Sequence, residues 1–428
     1  MNKVLLGVVS VLMVTLVVGL GACSQAAGGD LLQSEEPRET APEVSASDGA
    51  TLVEGNSAFA FDLYQELRGA EGNLFYSPYS ISLALAMTYG GARGETEEQM
   101  ADALRFSLPQ NQLHPAFNAL ALELDSRGEG AEGRDGEGFR LNIVNAIWGQ
   151  RDYEFLAEFL DLLAVNYGAG LRVLDFIGAT EESRVTINDW VSDQTEGRIK
   201  DLIPAGAINS LTRLVLTNAI YFNAAWEYPF EEDMTEDGAF YLLDGGEVTV
   251  PMMRQTESFG YAEGDGYQAV ELPYDGGELS MVILLPASGR FETFEATLDA
   301  AQVDGIIGSL EHRQVDLTMP KFEFDSSFSL KDTLSALGMP IALSEMADFS
   351  GMAGNQELFI SDVVHKAFVS VDEEGTEAAA ATAVIVGATA MPPSEAVEVT
   401  IDRPFIFLIR DIETGAILFV GRTLNPSA

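Results

Sequence analysis

Apolar residues at Phe59, Ala60, Leu63, Tyr64 and Leu67 fall on one helical face and predict a helix over Asn56–Arg68 that Gly69 stops. Ser77-Pro78 supplies an N-cap and a first-turn proline for an apolar helix reaching about Tyr89. Thr96-Glu97-Glu98-Gln99 has the spacing of a capping box and predicts a third helix toward Leu104. A fourth is expected over 113–125, before the Gly-rich charged loop SRGEGAEGRDGEG at 126–138. A strand follows at Leu141–Trp148, then helices over about 153–166 and 181–194. Strand-like runs then dominate, at 212–223, 239–253, 267–273, 279–285, 313–324, 358–371 and 397–421. The last contains a hairpin turning at Glu413-Thr414-Gly415. Helices gathered early and strands late predict an α+β fold in one large domain, 52–428.

The first residues break this pattern. Lys3 precedes an apolar run from Val4 to Leu20, and Leu20-Gly21-Ala22-Cys23 ends it. Small residues ahead of the chain's one cysteine resemble a lipoprotein signal over 1–22, with Cys23 as the lipidation site. An uncleaved membrane anchor is the alternative. The first reading implies an exported protein, lipid-anchored at the cell envelope and facing the periplasm or the exterior. Residues 23–51 are rich in Ser, Ala, Gly, Glu and Pro without apolar periodicity, and read as a flexible tether.

Charge narrows the partners. The chain carries 23 basic and 67 acidic residues, −44 net, and only five of the bases are Lys. Removing 1–22 takes away Lys3 and no acid, which leaves −45. Such a surface repels nucleic acid and anionic lipid. Its spread along the whole chain resembles proteins of salt-loving organisms more than an acidic patch for one basic partner. With the only cysteine at the N-terminus, no disulfide framework, thiol nucleophile or Cys-ligated metal is expected in the domain. The three histidines accompany no G-x-S-x-G elbow, H-E-x-x-H pair or phosphate-loop glycine pattern, so neither enzyme, metal nor cofactor is specified.

One stretch remains unexplained. GTEAAAATAVIVGATAMPP (375–393) has no charge from Ala378 to Met391, and an exposed segment of that kind adds to any open sheet edge. Eight collinear segments give it a context: NLFYSPYSISLALAMTYGGA (73–92), WVSDQTEGRIKDLI (190–203), LTNAIYFNAAWEYPF (216–230), VPMM (250–253), ELPY (271–274), ADFSGM (347–352), HKAFVSVDEEGTEAAAATA (365–383), and RPFIFLI with FVGRTLNP (403–426). Over nearly all of 52–426 the chain resembles the serpins, serine protease inhibitors. The resemblance implies three β-sheets with about nine helices and an exposed reactive-centre loop, which is the unexplained stretch.

It further implies a suicide substrate. The loop is cut as bait, then inserts as a central strand and traps the acyl-enzyme; the alternative is a non-inhibitory surface binding module of the same fold. A strand entering a sheet centre turns alternate residues inward. Those at Thr376, Ala378, Ala380 and Thr382 are small and uncharged, while Glu377 takes the other parity. Glu373 and Gly375 match the hinge, and Gly375 is expected to give the backbone freedom to swing. Ser77, Ser80, Asn218 and His365 match the family's shutter, and Trp226 matches the family's tryptophan under the point where insertion begins. The family's usual hinge-to-bond spacing, counted from Glu373, and alignment of the exit Met391-Pro392-Pro393 with family members carrying Pro-Pro there, both imply a reactive bond at Thr389–Ala390, within one residue. The small residues before it suit an elastase-like or subtilisin-like serine protease, with cysteine proteases left open. The protein is expected to be a monomer.

Overall fold

The computed structural model describes residues 29–128, 139–376 and 396–428. In chain order the elements begin with β1 (Asp30–Leu32), α1 (Ala46–Leu67), β2 (Leu74–Tyr76), α2 (Pro78–Tyr89), α3 (Gly94–Ala103) and α4 (Gln110–Asp125). Next come β3 (Phe139–Gln150), α5 (Ala157–Tyr167), β4 (Leu171–Leu174), α6 (Thr180–Gln194) and β5 (Leu214–Ala225). A single 3₁₀ turn precedes β6 (Glu236–Tyr241), β7 (Glu247–Gly264), β8 (Tyr267–Pro273) and β9 (Leu279–Pro286). Two short helices, α7 (Phe291–Thr297) and α8 (Ala300–Ile307), lead to β10 (Glu311–Pro320) and β11 (Phe322–Ser329). The chain closes with α9 (Lys331–Ala336), α10 (Ser350–Ala353), β12 (Ile360–Val371), β13 (Gly375–Thr376), β14 (Val397–Thr400), β15 (Phe405–Asp411) and β16 (Ile417–Thr423).

Two sheets organise the described residues. One has seven strands in the order β1-β4-β3-β5-β13-β12-β11; the other has nine, β14-β10-β7-β8-β9-β15-β16-β2 with β6 on β7. Three sheets are expected from the resemblance, and the difference lies in β7. Along one edge of that 18-residue strand β10 pairs residues 252–261, and along the other β6 pairs 247–252 and β8 pairs 260–264, so it joins two sheets into one hydrogen-bonded path. Ten α-helices surround them among the described residues.

The helix that matters most is α2. Ser77 caps it by accepting from Ser80 N at 3.1 Å, and Pro78 occupies the first turn, where no backbone donor is needed. All but one of its residues are buried, so it runs through the core between the sheets. The seven-stranded sheet shows this core its inner face. Its outer face is covered by α6 through Trp148, Val215, Ala219, Val364, Ile187 and Val191.

Several expectations need correction. The tether ends early: Asp30–Leu32 pairs with β4, and Ser45 caps an α1 that starts ten residues before the predicted helix. Thr96 is no cap, because α3 starts at Gly94 and the Thr96 hydroxyl accepts from Asp348 N at 2.8 Å instead. The run 239–253 is a hairpin of β6 and β7 around Gly245, and 313–324 divides at Pro320-Lys321 into β10 and β11. Of the charged loop, Arg127 is buried in an ion pair with Asp411 at 2.6 Å, and residues 129–138 lie outside the described ones.

Candidate functional site

The seven-stranded sheet has a seam at its centre. β5 and β12 run parallel and pair directly from Leu214 and Ile360 up to Ile220 and Ala367. Beyond that level the two-residue β13 sits between them, with Gly375 opposite Ala225 and Thr376 opposite both Ala224 and Val371.

Local chemistry builds the turn that delivers β13. Asp372 follows the last residue of β12, and its carboxylate accepts from Glu374 N at 2.9 Å and Gly375 N at 3.3 Å, reversing the chain in three residues. Three further bonds pin the turn to the segment after β5. Trp226 N donates to Glu374 O at 2.8 Å, Phe230 N to Glu373 O at 2.8 Å, and Trp226 Nε1 to Asp372 O at 3.0 Å. The Trp226 ring stacks on Tyr274, with centroids 4.7 Å apart and planes at 9°. The Tyr274 hydroxyl in turn bonds the Thr376 hydroxyl at 2.8 Å. Thr376 is 1% exposed and faces the core.

Charges anchor the same turn. Lys321 Nζ pairs with Glu373 at 2.5 Å, and the Thr235 hydroxyl donates to Glu373 at 2.8 Å. Burial pushes the Glu373 carboxyl up, but these two bonds outweigh it and hold it below the usual range. Asp372 goes the other way, raised by burial despite its two backbone bonds. Gly375 is required for space. A Cβ there would stand 2.2 Å from Ala224 O and 2.8 Å from Ala225 Cα, both backbone atoms. Its role in the described state is close packing, in addition to the hinge freedom expected from its sequence position.

Lower on the seam a polar row crosses three strands. Asn145 on β3 lies opposite Asn218 on β5, which lies opposite His365 on β12. Ser77 N donates to His365 Nε2 at 3.3 Å, so the ring proton sits on Nδ1 and is donated to Asn218 Oδ1. Asn218 Nδ2 donates to Ser80 Oγ at 2.5 Å and to Asn145 Oδ1. Ser80 Oγ passes its own proton to Asn145 Oδ1 at 3.2 Å, and Asn145 Nδ2 returns to Ser80 O at 3.1 Å. Burial of the ring lowers the His365 pKa to about 3, so it is neutral here. The arrangement ties β5 to β12 through side chains as well as the ladder.

Ser77, Ser80, Asn218 and His365 therefore meet under the seam, and Glu373, Gly375, Thr376 and Trp226 meet at its open end. Asn145 was not identified from the sequence; its signal is an uncharged polar residue inside the apolar strand IVNAIW. Tyr274, in the quoted ELPY segment, is the second omission. Ala378, Ala380, Thr382, Thr389, Ala390 and Cys23 lie outside the described residues.

Comparisons with known proteins agree over this whole region. A serpin-like protein of Thermococcus kodakarensis, itself uncharacterised, is 44% identical over 88% of this chain and 86% of its own. The human leukocyte elastase inhibitor is 39% identical over 88% of this chain and 99% of its own. Among solved structures, the thermophilic serpin tengpin in its native state superposes with a TM-score of 0.80 at 28% identity, covering 92% of this chain and 97% of that one. Uncleaved ovalbumin superposes with a TM-score of 0.78 at 27% identity, over 88% of this chain and all of that one. Residues 54–426 match the family described as serpin (serine protease inhibitor), and the chain belongs to that family.

Proposed function

We propose that this serpin inhibits serine endopeptidases as a suicide substrate, by inserting its cut loop into the seam between β5 and β12. The observation that carries this reading is β13: two residues of the loop's leading edge already occupy the strand position that the rest would fill. Thr376 opposite Ala224 sets an antiparallel register. Continued downward, that register puts residue 386 opposite Leu214, so Thr389 would finish past the far end of β5. The inward parity carries Thr376, Ala378, Ala380 and Thr382, none of which brings charge or bulk into the core. A protease ester-linked to Thr389 would be carried the length of the sheet.

The bond offered is Thr389–Ala390, and the small residues around it suit a shallow specificity pocket of elastase-like or subtilisin-like type. That relatives of 39–41% identity are named leukocyte elastase inhibitors supports the same choice. We also propose that Cys23 is lipid-modified and that the protein, a monomer, is exported and held at the cell envelope. The test is incubation with an elastase-like and a subtilisin-like protease, followed by denaturing electrophoresis. A band of the summed mass that survives SDS, with a released peptide beginning at Ala390, is expected. Reversible inhibition with no covalent band would instead make this a binding module.

A further inference from the structure

Helix α6 and residues 195–203 lie as one piece across the outer face of the seven-stranded sheet. Asn188, buried on the helix, donates to Ile203 O at 2.9 Å and accepts from Ile203 N at 2.8 Å. Arg184 donates to the same carbonyl at 2.9 Å. Ile199, Leu202 and Ile203 join Ile187 and Val191 of the helix in one apolar layer against the strands. Residues 180–203 thus form a flap with its own internal ties.

The flap straddles the seam, but its two sides hold it unequally. Towards β3 and β5 it covers Val144, Ala146, Trp148, Val215 and Ala219, whereas on β12 only Val364 joins that layer among the described residues. Lys366, the next outward residue of β12, adds a long bond of 3.5 Å from Nζ to Lys200 O, and it also pairs with Asp325 at 3.5 Å. The firmer tie is a stack on the other side. Arg172 on β4 lies opposite Trp148 on β3, and its Cζ sits 4.6 Å from the Trp190 ring centroid and 5.6 Å from that of Trp148. The two indoles meet edge to face, 5.3 Å apart at 80°, and Trp148 Nε1 donates to the Thr217 hydroxyl on β5 at 2.8 Å. A guanidinium is drawn to an indole face by the ring quadrupole, more strongly where water is partly excluded. The stack therefore joins α6 to β4, β3 and β5, all on one side of the seam.

We propose that Arg172 is a positioning residue for trapping: clasped between Trp148 and Trp190, it makes the flap move with the β3–β5 side when the seam opens, and so clears the path of the cut loop. The proposal rests on the reading that the loop inserts between β5 and β12. In the register set by Thr376 opposite Ala224, Ala381 and Ala383 would come level with Ala219 and Thr217, on the face turned to the flap. Those are the residues that must pass beneath it, and each carries no more than a methyl group. A flap that stayed with Val364 and Lys366 would lie across the gap, slow the passage and give deacylation time to compete. Arg172 touches neither the loop nor the bond that is cut; it acts through Trp190.

The test is trapping of an elastase-like protease by the full chain, read as the ratio of free cleaved chain to SDS-stable complex. Arg172→Gln is expected to raise that ratio roughly two- to five-fold, with the first cut made as fast as in wild type. Trp190→Leu, which leaves Arg172 in place, is expected to do the same, and the double variant no more than either. It carries the test alone if Arg172→Gln does not fold. Compensation is the readout that a merely structural role would not move. Lys366→Met cuts the flap's bond to β12, and should return the ratio of either single variant to near the wild-type value without raising its melting temperature. A ratio that stays at the wild-type value in the single variants, or that rises and is not restored by Lys366→Met, overturns the proposal. A wild type that forms no covalent complex defeats the insertion reading, and this proposal with it.

Discussion

His365 on β12 and Asn218 on β5 stand directly opposite each other across the seam, and the ring Nδ1–H of one is donated to the amide oxygen of the other. Both are fully buried; Ser77 and Ser80 at the start of α2 and Asn145 on β3 supply the remaining partners. Replacing His365 by Phe strands the Asn218 oxygen and the Ser77 amide in the core. Leaving buried polar groups unsatisfied costs about 1–3 kcal/mol each. The variant should show a lower urea midpoint, and on mild warming should lose inhibitory activity faster without loop cleavage, as a looser seam admits the intact loop. An unchanged midpoint would mean that the row does not hold the sheet.

The same residue sets a pH dependence. Burial depresses His365 to about 3 and His114 to about 4, both below the ordinary 6.5. The unfolded state takes up protons first, so this contribution to stability is complete above about pH 6.5 and is lost as pH falls toward 4 and then 3. Between pH 6.5 and 5, above the main carboxylate range, each His removes up to about 1.4 kcal/mol per pH unit. Urea titrations at pH 7.5, 6 and 5 should show stability falling in that window. His365→Phe should flatten the slope by about half. A wild-type midpoint that is flat from pH 7.5 to 5 would contradict the neutral, buried assignment.

Gly375 gives a third test, independent of charge. Ala there places a methyl group 2.2 Å from Ala224 O, and backbone cannot yield as a side-chain tip can. β13 should be driven from between β5 and β12 while the bait bond stays intact. The expected outcome is a rise in the moles of inhibitor consumed per mole of protease trapped, with cleavage still at the same bond. A stoichiometry equal to wild type would show that seating β13 beforehand has no influence on trapping.

Elements whose determinants are adjacent in the chain were legible in the sequence, and those with distant determinants were not. α2 was legible because its cap, its proline and its apolar body are consecutive residues. The hairpin of β15 and β16 was legible for the same reason, turning at Thr414-Gly415, where Gly415 takes φ 77°. Determinants distant in sequence stayed hidden. The segment ahead of α1 is polar and aperiodic by itself; what seats it is Asn118 and Gly170, far along the chain. Thr96 carries a capping pattern, but a tertiary partner, Asp348 N, takes its hydroxyl. Asn145 reads as an ordinary strand residue until the ladder places it opposite Asn218. The hinge residues were legible through family resemblance; that Thr376 already touches Tyr274 required coordinates.

Trapping by a strand insertion that starts at Thr376 can be decided with a single variant. Thr376 is buried, bonded to Tyr274 and paired on both sides. Thr376→Arg would have to bury an unpaired guanidinium there, at a cost of roughly several kcal/mol, and the start of insertion should stall. The bond at Thr389–Ala390 is untouched, so a protease should still recognise and cut the chain. The measurement is the partition between SDS-stable complex and free cleaved chain after one equivalent of protease. Wild type should give mainly complex. Thr376→Arg should give cleaved chain and fully active protease. If the variant forms complex as well as wild type does, insertion at Thr376 is not how this serpin acts.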